Sequence, residues 1–201
     1  MKQISDHPPK QLLKNQPRVI GGLILSAFIC YGGGSALISG GESLLGITLL
    51  LLNSVVVITI GVLFSGLMVN SAPVSAHVYL ATRITEGVLL GSGGLMWVFG
   101  SHFVTDSEAW NTTLYQLGMI ILGIGSISLC KWLLDNRAVP ALLARLGLIG
   151  YPLLAIGMVM GLIGSEDWAA ILLLPGAMFE VILGLWLIIK GLLIPSRTTV
   201  A

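Results

Sequence analysis

Apolar residues run along this chain in six long stretches: Arg18 to Gly40, Leu44 to Val69, His77 to Gly100, Thr112 to Leu134, Pro140 to Gly164, and Trp168 to Ile194. Each is set off from the next by a short polar or charged turn. A helix rises about 1.5 Å per residue, so roughly 20 apolar residues cross the ~30 Å hydrocarbon layer of a bilayer. Every stretch reaches that length. The pattern predicts an all-α fold: a polytopic membrane protein with a single bundle of six transmembrane helices over residues 18–194. The connections are too short to fold by themselves, so one domain is expected, with a polar tail at 1–17 and a short tail at 195–201.

Composition removes the soluble alternatives. Hydrophobic residues make up 55% of the 201 and charged residues 9%, with mean hydropathy +0.96, whereas soluble domains carry about 25% charged residues. A soluble fold is excluded, and no length is left over for a soluble catalytic domain. The opening segment is polar, contains Pro8-Pro9 and lacks a small-residue cleavage site, so it reads as a retained solvated arm rather than a signal peptide. Cys30 and Cys130 fall within the predicted helices with no short spacing between them, which suits small packing residues better than a disulfide or a zinc site.

Charge supplies an orientation. All ten Lys and Arg residues fall at one set of helix ends: Lys2, Lys10, Lys14 and Arg18, then Arg83, then Lys131, Arg137 and Arg145, then Lys190 and Arg197. The opposite turns carry only acids, Glu42, Asp106, Glu108, Glu166 and Asp167. Positive loops stay cytoplasmic, so both termini are expected in the cytoplasm. Trp110 and Trp168 then suit the outer aromatic belt and Trp132 and Trp186 the inner one.

Two acids do not lie in turns. Glu86 and Glu180 sit inside predicted spans, where an ionised side chain costs roughly 2.5 to 3.5 kcal/mol on insertion scales. Tyr79, Arg83 and Glu86 are spaced by four and then three residues, which puts them on one helix face. At about 1.5 Å per residue, Glu86 lies about 13 Å along its helix from His77, and Glu180 about 15 Å from Lys190, so the carboxylates should share a depth. If helices three and six are neighbours, Arg83 holds one carboxylate ionised and the other is left to carry a proton or contact a ligand. Asn53 in the second helix could join by hydrogen bonding. The competing reading is architectural, with Arg83 locking the bundle through one or both glutamates and no ligand at all. Small residues four apart, Gly87 with Gly91 and Gly157 with Gly161, and Gly176 and Gly184 each four from Glu180, predict close helix approach. A short echo between Glu86-Gly-Val-Leu-Leu-Gly91 and Glu180-Val-Ile-Leu-Gly184 raises a three-plus-three inverted repeat.

Other chemistry finds no support. His77 and His102 lie near opposite ends of one helix, too far apart to share a metal or flank a haem, and no nucleophile elbow or His-Glu-x-x-His appears. No enzyme activity, cofactor or nucleic-acid partner is therefore expected. The expected partners are the lipid bilayer, a small ligand or ion, and a membrane protein or second copy recruited through the glycine faces.

Three segments carry a resemblance. They are Arg83-Ile-Thr-Glu86-Gly-Val-Leu-Leu, the basic turn and leucine-rich start from Leu129 through Arg137 and Pro140 to Gly147, and Pro175-Gly-Ala-Met-Phe-Glu180 through Trp186 to Lys190-Gly191. They resemble a bacterial family of multi-pass membrane proteins known only as domain of unknown function 4386. The resemblance implies six or seven helices in a bacterial inner membrane and adds weight to Arg83, Glu86 and Glu180 as a set. It brings no activity with it.

Overall fold

In the computed structural model, which describes residues 10–103 and 106–195, the chain forms six helices and a short two-stranded ribbon. The elements are β1 (Lys10–Leu13), α1 (Asn15–Ser39), α2 (Ser43–Met68), α3 (Pro73–Phe103), α4 (Ser107–Asp135), α5 (Ala141–Leu162), α6 (Glu166–Ile189) and β2 (Leu192–Pro195). Five of the helices are long and apolar enough to cross a membrane. α3 is not among them. At 31 residues it is the longest, and what lowers its hydropathy is its own polar set, which includes His77, Thr82, Arg83, Thr85 and Glu86.

Each helix packs on the next in sequence and α6 packs back on α1, so the six form a closed ring. Glycine makes these seams possible. A Cβ on Gly34 would lie 2.9 Å from the Gly46 carbonyl across the α1–α2 seam, and one on Gly21 2.5 Å from the Gly184 carbonyl across α1–α6. Gly150 faces the backbone of Pro175 and Gly176 at 2.8 Å between α5 and α6, and Gly61 faces the Cβ of Arg83 at 2.5 Å between α2 and α3. Close backbone approach of this kind maximises packing where lipid offers no hydrophobic drive for association. The spaced glycines act as expected: Gly87 and Gly91 pack on Ser54 of α2, and Gly157 and Gly161 on Ala169 of α6.

The ring order bears on the inverted repeat. A two-fold axis in the membrane plane reverses the circulation of helices seen from one side. A sequential ring in which α1–α3 map onto α4–α6 keeps one circulation throughout, so the echo between Glu86 and Glu180 is not the trace of such a repeat.

The half of the ring nearest Asn15 and Ile189 is solid. Ile20, Phe64, Met68, Tyr79, Leu133, Phe179, Leu183 and Leu187 are all buried there. Below them the first and last described segments meet. β1 and β2 pair antiparallel from Lys10 with Pro195 to Leu13 with Leu192, and the Leu193 amide donates to the Ala138 carbonyl at 3.2 Å. The ribbon corrects two expectations. Residues 10–13 are part of the folded unit rather than a solvated arm, and the last helix stops at Ile189 instead of Ile194. Gly191 takes φ +79°, a left-handed turn that ends the helix and lets apolar Leu192 fold back into the core. Of the tails expected at 1–17 and 195–201, residues 1–9 and 196–201 lie outside the described residues.

Trp110 and Trp168 are exposed, as an outer belt requires, but Trp132 is buried and its indole donates to Ser71 Oγ at 2.8 Å. Trp132 is therefore a core residue tying α4 to the α2–α3 turn, not an inner belt residue. Cys30 and Cys130 are buried free thiols.

Substituting Gly150 by Val places atoms against backbone that cannot yield, and the cost expected is about 1–3 kcal/mol. A Cβ on Gly32, by contrast, meets nothing within 4 Å. Thermal unfolding in detergent should show a clear drop in Tm for Gly150→Val and none for Gly32→Ala.

Candidate functional site

α3 presents Tyr79, Arg83 and Glu86 on one face, and that face turns into the centre of the ring. Arg83 Nε donates to Tyr79 Oη at 2.9 Å, and its Nη1 donates to both oxygens of Glu86 at 3.1 and 3.4 Å. Its Nη2 reaches across the ring to Glu180 Oε1 at 3.4 Å. Tyr151 of α5 donates its hydroxyl to the same Oε1 at 2.8 Å. The guanidinium also lies over the Tyr79 ring, 5.3 Å from its centroid. Edge-to-face contacts hold the two phenols in place, Tyr79 on Phe64 at 5.9 Å and Tyr151 on Phe179 at 5.4 Å.

Two features differ from the sequence reading. α3 and α6 are not a packed pair but stand across the ring, since α3 packs on α2 and α4 while α6 packs on α5 and α1. Only long side chains join them. The guanidinium engages both carboxylates, as only the architectural alternative allowed, and the two are set apart by burial. The Glu86 side chain is 2% exposed and that of Glu180 18%.

Above this cluster the ring encloses a cavity of about 270 Å³. Arg83, Glu86 and Glu180 form its polar end, and aliphatic side chains such as Ile24, Val57, Ile60, Leu122 and Leu154 form the rest of its wall. Asn53 lines the same space, buried, but it does not join the ion cluster. Its Oδ1 has no hydrogen-bond partner. On the far side Tyr31 of α1 stacks on Tyr115 of α4, with ring centroids 4.5 Å apart, and the pair spans the ring. Among the described residues no group of His, Cys, Asp and Glu gathers to hold a metal, and His102 lies where no side chain is described.

The family described as Domain of unknown function (DUF4386) matches residues 19–191. The chain belongs to the DUF4386 family. No curated protein and no solved structure gives a match. The matched range takes in α1 from Val19 onward and the other five helices of this DUF4386 member whole, with the ion cluster and the cavity.

Sequence reasoning missed Tyr151, Tyr31 and Tyr115. A signal existed. Tyrosine in a span is enriched at the interfaces, where its hydroxyl meets water. Tyr151 lies eleventh in α5, and Tyr31 seventeenth in α1, well inside. A phenol at that depth needs a partner within the protein.

Removing Arg83 leaves two buried carboxylates facing each other, and breaking such a set costs about 3–5 kcal/mol. Arg83→Met should therefore cut folded yield and Tm sharply. The triple variant Arg83→Met, Glu86→Gln, Glu180→Gln should recover most of the loss, read by the same melt.

Proposed function

We propose that this DUF4386 member is an intramembrane binding or transport module for a small ligand, with Arg83, Glu86, Glu180, Tyr79 and Asn53 as its site. The observation that carries the proposal is the position of the ion cluster. It lies on the wall of a cavity rather than in a packed seam, with the buried Asn53 Oδ1 beside it unpaired. Ionisable groups within a membrane are by default candidates for such sites. A buried polar atom without a partner is a place that a ligand can satisfy.

The reading takes all six helices as spans. α3 falls short on hydropathy; its Arg83 and Glu86 are buried toward the ring centre, and its neighbours α2 and α4 cover it. An inward-facing polar stripe is what lipid exposure forbids and a bundle interior permits. The reading puts both termini in the cytoplasm of a bacterial plasma membrane; the ten basic residues at one set of helix ends support the orientation, and the family resemblance supports the membrane. No catalytic role is proposed. The rival is an architectural subunit in which Arg83 only braces α3 against α6.

The test is thermal unfolding of the purified protein against a panel of small cations, amines and carboxylates. A ligand at 100 times its Kd adds about 2.7 kcal/mol to stability. At least one probe should raise the Tm of the wild type, and Glu180→Gln should fold in comparable yield while losing that response. If no probe shifts the wild type, and Glu86→Gln and Glu180→Gln lose folded protein equally, the architectural reading stands instead.

A further inference from the structure

We infer that the ligand is a membrane-dissolved primary amine, an apolar tail bearing one ammonium group, which reaches Glu180 sideways between α1 and α6. The inference rests on the binding reading above and adds to it a chemical class and a route.

Charge sets the class. One guanidinium faces two carboxylates, so with both ionised the cluster carries a net charge of −1. Arg83 directs Nε to Tyr79, Nη1 to Glu86 and Nη2 to Glu180. Both bonds to Glu180 fall on Oε1, and among the described residues nothing donates to Oε2. Asn53 Oδ1 is a second acceptor without a donor. An ammonium has three donors and no acceptor, and it supplies the missing charge. An anion would meet acids whose countercharge is already engaged.

The rest of the cavity selects the body. Beyond the polar end the wall is aliphatic, and 270 Å³ is nearly twice the ~150 Å³ of an apolar cavity that takes up benzene. That is the size of an eight-carbon alkylamine, whose tail gains by leaving water while its head pairs with Glu180.

The route follows from where the cavity wall is exposed. Arg83 lies about 15 Å along α3 from Pro73, with the packed core below it. On the outer side the Tyr31–Tyr115 stack spans the ring, about 24 Å along α1 and 30 Å along α4 from their inner ends. The seam between α1 and α6 is the least extensive of the six. Gly21 and Gly184 hold it near its inner end, but farther out Phe28 and Gly32 of α1 line the cavity and are exposed at the same time. Leu173 and Ala177 of α6 line it opposite them. In a bilayer this window faces acyl chains.

The experiment uses the full chain in lipid nanodiscs and radiolabelled n-octylammonium, with empty nanodiscs subtracted. Saturable binding is expected, displaced by other alkylamines of similar length but at least ~10-fold less well by methylammonium or octanoate. Glu180→Gln should weaken it at least ~10-fold, the scale of a lost charge-assisted hydrogen bond. Gly32→Trp, which meets open space, should slow association at least ~10-fold. Equal displacement by octanoate overturns the amine class, equal displacement by methylammonium overturns the apolar tail, and an unchanged association rate in Gly32→Trp overturns the lateral route. Each leaves the binding reading standing. That reading falls only if no probe of any class binds saturably.

Discussion

With all six helices taken as spans, as proposed, one arginine and two glutamates at the depth of a hydrocarbon core must face one another, because lipid can solvate none of them. That constraint orders the molecule. It requires an interior, so the helices that carry the charges have to be covered on both flanks. α3 is covered by α2 and α4, and α6 by α5 and α1. It also requires reach, because α3 and α6 stand on opposite sides of the ring. Arginine is suited to that span: its fork can engage Glu86 with one nitrogen and Glu180 with another. A lysine at position 83 would offer a single point charge and could not bridge both acids in the same way.

A ring wide enough to hold such a cluster tends to be loosely packed, and this chain offsets that tendency at its seams. Gly34 and Gly46, Gly21 and Gly184, and Gly150 and Gly176 bring neighbouring backbones together where any side chain would collide. Bulk is moved inward and downward instead, into Phe64, Tyr79, Phe179 and the leucines of the inner half. The result is asymmetric along the axis. One half is filled, tied off by the β1–β2 ribbon and the bond from Leu193 to Ala138; the other half keeps an open centre.

Much of this was legible before any coordinates. The six helices follow from the apolar runs, and the shared face of Tyr79, Arg83 and Glu86 follows from helical periodicity alone. What periodicity cannot supply is the partner. It says which side of α3 is polar and at what depth, and from that α6 looked like a packed neighbour rather than the opposite wall. Tyr151 stayed hidden because one aromatic in an apolar run resembles any core residue until its hydroxyl is asked where it bonds. The end of α6 was misjudged for a related reason: Leu192 to Ile194 continue the apolar run, and hydrophobicity does not separate a helix from a buried strand. Gly191 was the punctuation that mattered there.

The balance between architecture and ligand binding turns on neutrality. A brace that serves only to fix two helices is best built from matched charges, since each surplus charge adds desolvation without a partner. With both acids ionised the charges here are not matched. Two carboxylates share one guanidinium, Tyr151 gives Glu180 a neutral donor, and Glu180 Oε2 has no donor among the described residues. The surplus lies on the carboxylate that is less buried and that borders the cavity. An architectural role explains Arg83 and Glu86, which would hold each other on α3 in any case. It does not explain why the second acid faces open space with an unpaired Asn53 nearby. A bound cation accounts for both, because it neutralises the surplus and donates to the free acceptors at once.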